Sequence, residues 1–261
     1  MDALTDRGRV TLVLDGPVAR VTFDRPAARN AMTFAMYAEL LEVCDAIDAA
    51  AGLRAAVFVG AGEAFVAGTD IAEFAGFRSG ADGVDYEQRV EGVVARLERL
   101  AVPTIAAVDG PAMGGGLVLA AACDIRIVTT RARFGVPIAQ TLGNCLSAAN
   151  LARLVRAFGP SRARALLLLS ETLDGLEAKA LGFALDCVPA EELAARCDRV
   201  LARLLCAAPL TVAATRTLFR RLEADATVDD ADVVARVYGS ADFHEGAAAF
   251  LDKRKIVWTG R

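Results

Sequence analysis

The fold is decided by the stretch Val108-Asp109-Gly110-Pro111-Ala112-Met113-Gly114-Gly115-Gly116-Leu117-Val118. The apolar run that ends at Val108 predicts a buried strand, and residues 117–122 predict a helix. Glycine loses more conformational entropy on folding than alanine, so three consecutive glycines at a helix start are costly. The usual reason to accept this cost is that a ligand approaches bare N–H groups at the helix N-terminus. We therefore expect this turn to form part of a ligand site.

The composition sets broad limits on the protein. Its 261 residues are 55% hydrophobic but only 6% aromatic, so we expect a sizeable core of small side chains. The formal net charge is −4 with acids and bases interspersed, which argues against nucleic acids and anionic membranes as partners. The first residues contain neither a basic n-region nor an apolar h-region, so no targeting segment is expected, and no apolar run reaches the roughly 18 residues of a membrane span. A cytoplasmic location is predicted.

The 6 cysteines are scattered through apolar segments, and no two of them form a CxxC pair. This pattern predicts buried free thiols, with neither disulfides nor a metal site.

Strands and helices alternate in the first half of the chain. The patterns predict a hairpin from residues 10–14 and 18–23, a helix capped by Thr33 that runs to about residue 50, and a buried strand at 55–59. A mobile loop is expected at 76–85, followed by a helix whose apolar positions start at Val90. Strands at 104–108 and 123–128 flank the glycine turn.

From about residue 144 the chain is predicted to be helical, with helices at 146–158, 161–169, 177–181, 190–206, 210–223, 228–238 and 243–253. A short strand at 184–188 interrupts them. Alternating strands and helices followed by a helical tail predict an α/β fold. We place the α/β core in residues 1–190 and the α-helical region in residues 191–261.

A second strand also runs into a small-residue turn, at residues 60–71. Two such turns at the ends of parallel strands can bring two backbone N–H groups to one point, which is the geometry of an oxyanion hole. The sequences around both turns resemble the crotonase (enoyl-CoA hydratase/isomerase) superfamily. The resemblance extends over nearly the whole chain, through residues 25–32, 65–71, 103–110, 114–116, 123–126, 134–135 and 245–254.

This resemblance implies a crotonase-like spiral of ββα units whose helical C-terminal region forms trimers or pairs of trimers. It implies an acyl-CoA thioester substrate, with no cofactor beyond the CoA moiety and no metal. The N–H groups of Ala67 and Gly115 are expected to hold the thioester oxygen as an enolate develops. The residues expected to line the CoA site are Ala28, Ala67, Gly68, Thr69, Asp70, Ile71, Phe250 and Lys253. For Asp70, a structural role in the turn is the better interpretation.

The sequence departs from the resemblance at the acid and base. Hydratases of the superfamily place water with two glutamates, and this chain has Val118 and Ile138 at those positions. Gln140 and Asn144 are the candidates to face the acyl group, but an amide cannot take a proton at neutral pH.

Other side chains are candidates to replace the two glutamates. Glu73 and Asp85 lie on segments that could fold over the pocket, whereas Cys145 is expected to be a buried, inert thiol. His244, the single histidine, is expected at the surface.

The sequence leaves several functions open. The leading hypothesis is a lyase, hydratase or isomerase step through a thioester enolate, and loss of a β-carboxyl group is one reaction that needs little acid/base help. The alternative is a homologue that binds CoA thioesters without catalysis. A dinucleotide-binding loop at residues 114–116 is disfavoured because the third glycine of that motif is missing.

Overall fold

The structure is a computed structural model that describes residues 7–224 and 231–261. Its strands are β1 (Arg9–Asp15), β2 (Val18–Asp24), β3 (Ala55–Gly60), β4 (Thr104–Val108), β5 (Pro111–Met113), β6 (Ile125–Thr129), β7 (Arg133–Gly135), β8 (Thr172–Asp174) and β9 (Asp186–Val188). Its α-helices are α1 (Phe34–Ala49), α2 (Gly80–Glu98), α3 (Gly115–Ala122), α4 (Ala148–Leu168), α5 (Gly175–Ala180), α6 (Leu193–Leu205), α7 (Pro209–Ala224), α8 (Ala231–Tyr238) and α9 (Ala241–Leu251).

Two sheets form the core. The larger has the order β1-β2-β3-β4-β6-β9, in which only the β1–β2 hairpin is antiparallel. The smaller has the order β5-β7-β8. The predicted hairpin, the buried central strands and the helix capped by Thr33, whose hydroxyl accepts from the N–H of Met36, are confirmed. The α/β fold with a helical C-terminal region is therefore as the sequence predicts.

The larger sheet is covered on both faces. Alternate residues of the central strands belong to two separate buried clusters, because successive side chains of a strand point to opposite faces. Phe58 packs in the cluster that includes the apolar positions of α1, α2 and α3. Its neighbour Val57 packs in the other cluster, with Val200 and Leu201 of α6. The first helix of the C-terminal region thus completes the core.

Helix α2 corrects the prediction for residues 76–85. The sequence predicts a mobile loop there, but the helix begins at Gly80, ten positions before Val90. The cause is local: the carboxylate of Asp82 accepts hydrogen bonds from the N–H groups of Arg78 and Ser79, each at 2.7 Å. These bonds occupy backbone donors that a helix N-terminus leaves free, and they make a glycine-containing segment helical.

Smaller differences have equally simple causes. Strands β5, β7 and β8 have three residues each, too few to leave a periodic pattern. The two helices predicted at 146–158 and 161–169 form one element, α4, bent at Gly159 with a φ of 74° just before Pro160. Of the helix predicted at 228–238, residues 228–230 lie outside the described residues.

The cysteines are free thiols, but the prediction that all are buried is wrong. Cys44, Cys123 and Cys197 are buried, and Cys187 is half-buried. Cys145 and Cys206 are exposed. Within residues 7–224 and 231–261, no cluster of His, Cys, Asp and Glu could hold a metal ion, and no helix is long and apolar enough to cross a membrane.

Candidate active site

Two turns meet at the end of the central strands. The first follows β3 and pairs through Val66 with Ala112 of β5, and the N–H of Met113 donates to the carbonyl of Val66 at 3.0 Å. The second is the glycine turn that opens α3. Gly116 must lack a side chain because a Cβ there would collide with the Val66 carbonyl oxygen. The glycines therefore allow the two main chains to lie in direct contact.

A hydrogen bond between the first turn and Arg29 corrects one of the two predicted donors. The N–H of Ala67 donates to the carbonyl of Arg29 at 3.0 Å, so it cannot also hold a ligand oxygen. Its neighbour Thr69 has a backbone N–H with no acceptor among the described residues. The prediction that Ala67 is a donor of the oxyanion hole is wrong, and Thr69 supplies the free N–H of this turn.

The glycine turn supplies the other donor. Gly115 is the first residue of α3, where a helix leaves its N–H groups without partners, and no acceptor for its N–H occurs in the described part of the chain. A Cβ on Gly115 would lie 3.5 Å from Thr69 Oγ1 and 2.7 Å from Tyr37 Oη. Gly115 and Thr69 are therefore neighbours across the junction of the two turns.

A row of three hydroxyl groups fixes Thr69. Its Oγ1 is 2.9 Å from Tyr37 Oη and 2.8 Å from Tyr86 Oη. Burial raises the pKa of Tyr37 and the pKa of Tyr86, so both phenols stay protonated at neutral pH. The row holds the Thr69 turn from α1 on one side and from α2 on the other.

Both donor residues line a cavity of about 440 Å³, the first cavity. Val118 and Ile138 also line it, so the two positions at which glutamates were expected from the resemblance present apolar side chains to the cavity. Of the two predicted amides, Asn144 lines the first cavity. Gln140 does not, and its Nε2 donates to the carbonyl of Leu169 at 3.2 Å, which places Gln140 outside the site.

One carboxylate lines the first cavity within the described residues, and it is Glu87 of α2. Its Oε2 accepts a hydrogen bond from the N–H of Ser147 at 2.6 Å. Burial raises the pKa of Glu87, and the nearby negative charge of Glu91 adds to the effect, while the Ser147 bond partly opposes it. Glu87 is thus held in place and is easier to protonate than an exposed glutamate.

A second, strongly apolar cavity of about 600 Å³ adjoins the first. Phe77, Val84 and Gly83 line only the second cavity, together with the exposed Cys145. Six residues line both cavities: Phe74, Tyr86, Glu87, Leu142, Asn144 and Leu146. The two cavities are therefore adjacent, and Glu87 is one of the residues between them.

The other predicted binding residues divide into two groups. Ala67, Gly68, Thr69 and Ile71 line the first cavity. Asp70 is turned away, and its carboxylate accepts from Arg25 Nη1 at 2.7 Å and from the N–H of Ala72 at 3.0 Å, as expected of a residue that stabilises the turn.

Of the remaining predicted residues, Ala28 and Lys253 do not line the first cavity. Ala28 precedes Arg29, which lines the first cavity. Lys253 is exposed beyond α9, and the Phe250 side chain lies outside the described structure. His244, also on α9, contacts the Phe243 ring with centroids 5.6 Å apart. The roles of Ala28, Phe250 and Lys253 stay predictions.

The structure also gives the positions of Glu73 and Asp85, the two candidate acids on segments expected to fold over the pocket. Glu73 Oε1 accepts from the N–H of Phe34 at 3.1 Å, and Asp85 is exposed on α2. Sequence reasoning missed Tyr86 and Glu87 because α2 was expected to begin near Val90. The signal was present, because Glu87 lies three residues before Val90 and seven before Val94, on the same helix face.

Two touching turns of an α/β fold thus present to one cavity two backbone N–H groups that have no acceptor among the described residues. The Enoyl-CoA hydratase/isomerase family model matches residues 15–261. The short-chain-enoyl-CoA hydratase of Clostridium acetobutylicum is 32% identical over 252 residues, which are 95% of this chain and 96% of that protein. The 2,3-dehydroadipyl-CoA hydratase of Escherichia coli is 30% identical over 94% of this chain and 96% of its own length.

Solved structures give the same family assignment. An enoyl-CoA hydratase/carnithine racemase from Magnetospirillum magneticum superimposes with a TM-score of 0.91 at 32% identity, covering 97% of this chain and 96% of that one. The chain therefore belongs to the enoyl-CoA hydratase/isomerase family, within the crotonase superfamily.

Proposed function

We propose that this enzyme binds an acyl-CoA thioester with its carbonyl oxygen between the backbone N–H groups of Thr69 and Gly115, and acts on it through an enolate. The supporting observation is that these two N–H groups, on touching turns, have no acceptor among the described residues and open into one cavity. Neutral donors aimed at a developing oxyanion in a water-poor site are among the largest catalytic contributions that proteins make.

The mouth of the first cavity suits the rest of the CoA molecule. Arg29 and Arg133 line it, and their guanidinium groups can pair with phosphates. We place the pantetheine arm along residues 67–71 and keep Ala28, Phe250 and Lys253 as predicted nucleotide contacts. A homotrimer or homohexamer, measurable by light scattering, stays a prediction.

The acyl group is expected to run from the first cavity into the second. The walls of the second cavity are mostly apolar, with Phe77 and Val84 among them, and among the described residues Glu87 and Glu91 are the charged groups that line it. Each methylene buried there contributes about 0.8 kcal/mol, so apolar acyl chains long enough to enter it bind best. The substrate class we propose is therefore an apolar acyl-CoA thioester.

The reaction takes place at the carbon next to the thioester. Hydration by two glutamates at positions 118 and 138 has no support, because valine and isoleucine cannot transfer protons. Double-bond migration, loss of a β-carboxyl group, or hydration that uses another acid are the reactions that an enolate site without those glutamates can perform.

A protein that binds thioesters without turning them over is the second candidate. The observation that favours it is the apolar character of both Val118 and Ile138 in the cavity wall. Such a protein would keep the paired donors and the apolar second cavity, and lack a group able to move a proton.

The experiment incubates the purified protein with 2-enoyl-, 3-enoyl- and β-carboxyacyl-CoA thioesters and follows the product masses, with Gly115→Pro as the control. Proline removes the N–H. Because any side chain at residue 115 also brings a Cβ to 2.7 Å from Tyr37 Oη, Gly115→Ala, which adds the Cβ and keeps the N–H, is its matched control. Turnover of one thioester class that the control abolishes is the expected result. Binding of the same thioesters without turnover would favour the binding protein, and turnover unchanged by Gly115→Pro would contradict the proposed donors.

A further inference from the structure

We propose that Glu87 of α2 is the acid/base group of this site and moves a proton at the α-carbon of the bound thioester. The inference builds on the proposed function. Neither the family match nor the two family-typical glutamate positions identify this residue, because it lies on a different helix from Val118 and away from the loop that carries Ile138.

Position is the first argument. Glu87 lines the same cavity as Gly115, Val118 and Ile138. The preceding residue, Tyr86, reaches the hole directly, because its hydroxyl is 2.8 Å from Thr69 Oγ1. The part of α2 that carries Glu87 is therefore anchored to the residue that supplies one of the two donors.

The state of the carboxylate is the second argument. One oxygen, Oε2, is fixed by the N–H of Ser147 at 2.6 Å, and no group in residues 7–224 or 231–261 bonds to the other, Oε1. A carboxylate with one oxygen held and the other free can accept a proton without losing its position. Burial also raises the pKa of Glu87 toward the working pH, where an acid/base group is most effective.

The other polar groups of the first cavity are less suited. Asn144 and Asn150 are amides, and Asn150 Oδ1 already accepts from Arg153 Nη1 at 2.7 Å. The Tyr86 hydroxyl is occupied by Thr69, and burial raises its pKa. Thr141 donates its hydroxyl to the carbonyl of Pro137 at 2.9 Å. Glu87 is the group that can both take and return a proton.

One carboxylate is sufficient for double-bond migration, which needs no co-reactant. Glu87 takes a proton from C2 of a 3-enoyl thioester, and the electrons of the broken C–H bond spread onto the thioester oxygen held by Thr69 and Gly115. The protonated Glu87 then returns that proton to C4. The double bond ends between C2 and C3, and both the enzyme and the atom count are unchanged.

Deuterium exchange tests the proton transfer without assuming an overall reaction. Octanoyl-CoA has no double bond to move, so the protein can only exchange its C2 hydrogens with D₂O, and mass spectrometry counts the deuterium incorporated. The comparison uses the native protein, Glu87→Gln and Asp85→Asn. Glutamine keeps an oxygen that accepts from Ser147 but cannot take a proton, while Asp85 is exposed on the same helix and lines neither cavity.

We expect Glu87→Gln to slow exchange by about 10²- to 10⁴-fold with octanoyl-CoA still bound, and Asp85→Asn to match the native protein. Exchange at the native rate in Glu87→Gln would overturn the role of Glu87, as would native protein that binds octanoyl-CoA and exchanges nothing. Failure of the proposed function gives a different result, which is exchange that persists in Gly115→Pro or no binding of the thioester at all.

The pH profile separates a proton-transfer role from a structural one. The exchange rate should rise with pH through the raised pKa of Glu87, because the base is the carboxylate, and the profile of Glu87→Gln should lack that rise. The negative charge of Glu91 acts on the Glu87 carboxylate, and Glu87 in turn acts on Tyr86 and Tyr37. Arg153 of α4 pairs with Glu91, Arg29 and Arg133 line the first cavity, and Cys145 lines the second. A profile of the same shape in both proteins would assign the titration to one of these groups and contradict the proposal.

Discussion

The floor and the wall of the first cavity are built in different ways. The floor is main chain: the turn with Thr69 and the turn with Gly115 are fixed by β-bridges, backbone hydrogen bonds and glycines that admit no side chain. The wall is formed by side chains, among them Tyr86 and Glu87 of α2.

This difference bears on the two positions at which the resemblance implied glutamates. A backbone donor cannot be lost by a side-chain change unless the turn itself is distorted. A cavity wall of side chains can be apolar with the core intact, as it is at Val118 and Ile138. On the proposed function, the main chain of the floor activates the carbonyl and a side chain of the wall moves the proton.

The largest effect is expected when one of the two backbone N–H donors of the floor is removed. Gly115→Pro deletes one N–H group, and the loss of one such donor costs about 2.7–4 kcal/mol of transition-state stabilisation. We expect kcat to fall by about 10²- to 10³-fold, measured with the thioester that the panel identifies. Thermal unfolding of the variant serves as its control, and a correctly folded variant with native kcat would show that the floor is not the oxyanion hole.

A smaller effect is expected when a side chain is added at residue 115 and its backbone N–H is kept. Gly115→Ala adds a Cβ that would lie 2.7 Å from the buried Tyr37 hydroxyl, so we expect activity to fall by an order of magnitude as the turn shifts. Adding Tyr37→Phe removes that hydroxyl and leaves the new Cβ about 4.0 Å from the ring carbon. Steady-state kinetics of the double variant should recover most of the loss. No recovery would mean that the contact with Tyr37 is not what restricts residue 115.

Filling the second cavity changes only side chains and leaves the main-chain floor intact. Its effect can therefore be compared directly with the removal of a backbone donor. A Cβ on Gly83 meets no atom within 4 Å, so Gly83→Phe can be accommodated and its ring occupies space meant for the acyl chain. Losing two or three methylene contacts at about 0.8 kcal/mol each predicts a kcat/KM at least about tenfold lower for eight-carbon thioesters, with four-carbon ones nearly unaffected.

The matched control is Gly92→Phe, which is on the same helix, is equally unobstructed and lines neither cavity. Equal losses for short and long chains in Gly83→Phe would place the acyl group elsewhere.

The smallest effect is expected at the rim. Arg29→Ala removes one exposed cation that lines the first cavity, and exposed ion pairs contribute about 1 kcal/mol or less. KM for an acyl-CoA should rise by up to about five-fold at low ionic strength, and the difference should vanish in concentrated salt. Arg199→Ala, exposed on α6, should leave KM unchanged. A salt-independent change would assign Arg29 a role other than pairing with phosphate.

The fold could be predicted because its determinants are local and repeated. Hydrophobic alternation marks β1 and β2, continuous apolar runs mark β3 and β4, and the glycine turn marks the start of α3, so element order follows from the sequence. The start of α2 could not be predicted from the glycine-rich composition of 76–85, because Asp82 makes that segment helical through hydrogen bonds to two backbone N–H groups.

The site was predictable in part. The glycine turn as a ligand site follows from the cost of placing glycine at a helix start, and Gly115 as a donor is what the resemblance to the crotonase superfamily implies. The choice between Ala67 and Thr69 depends on which N–H is used by Arg29, a contact between segments that no sequence pattern shows. Glu87 was missed for a related reason, because its position in the cavity depends on where α2 begins and how it packs.

The most direct measurement is an experimental structure of the protein with bound octanoyl-CoA. Activation of the carbonyl by the floor of the cavity predicts the thioester oxygen about 2.7–3.1 Å from the backbone nitrogens of both Thr69 and Gly115, with the acyl chain passing Glu87 into the second cavity. A thioester oxygen that contacts neither nitrogen, or that displaces Arg29 to reach the N–H of Ala67, would contradict this description of the site.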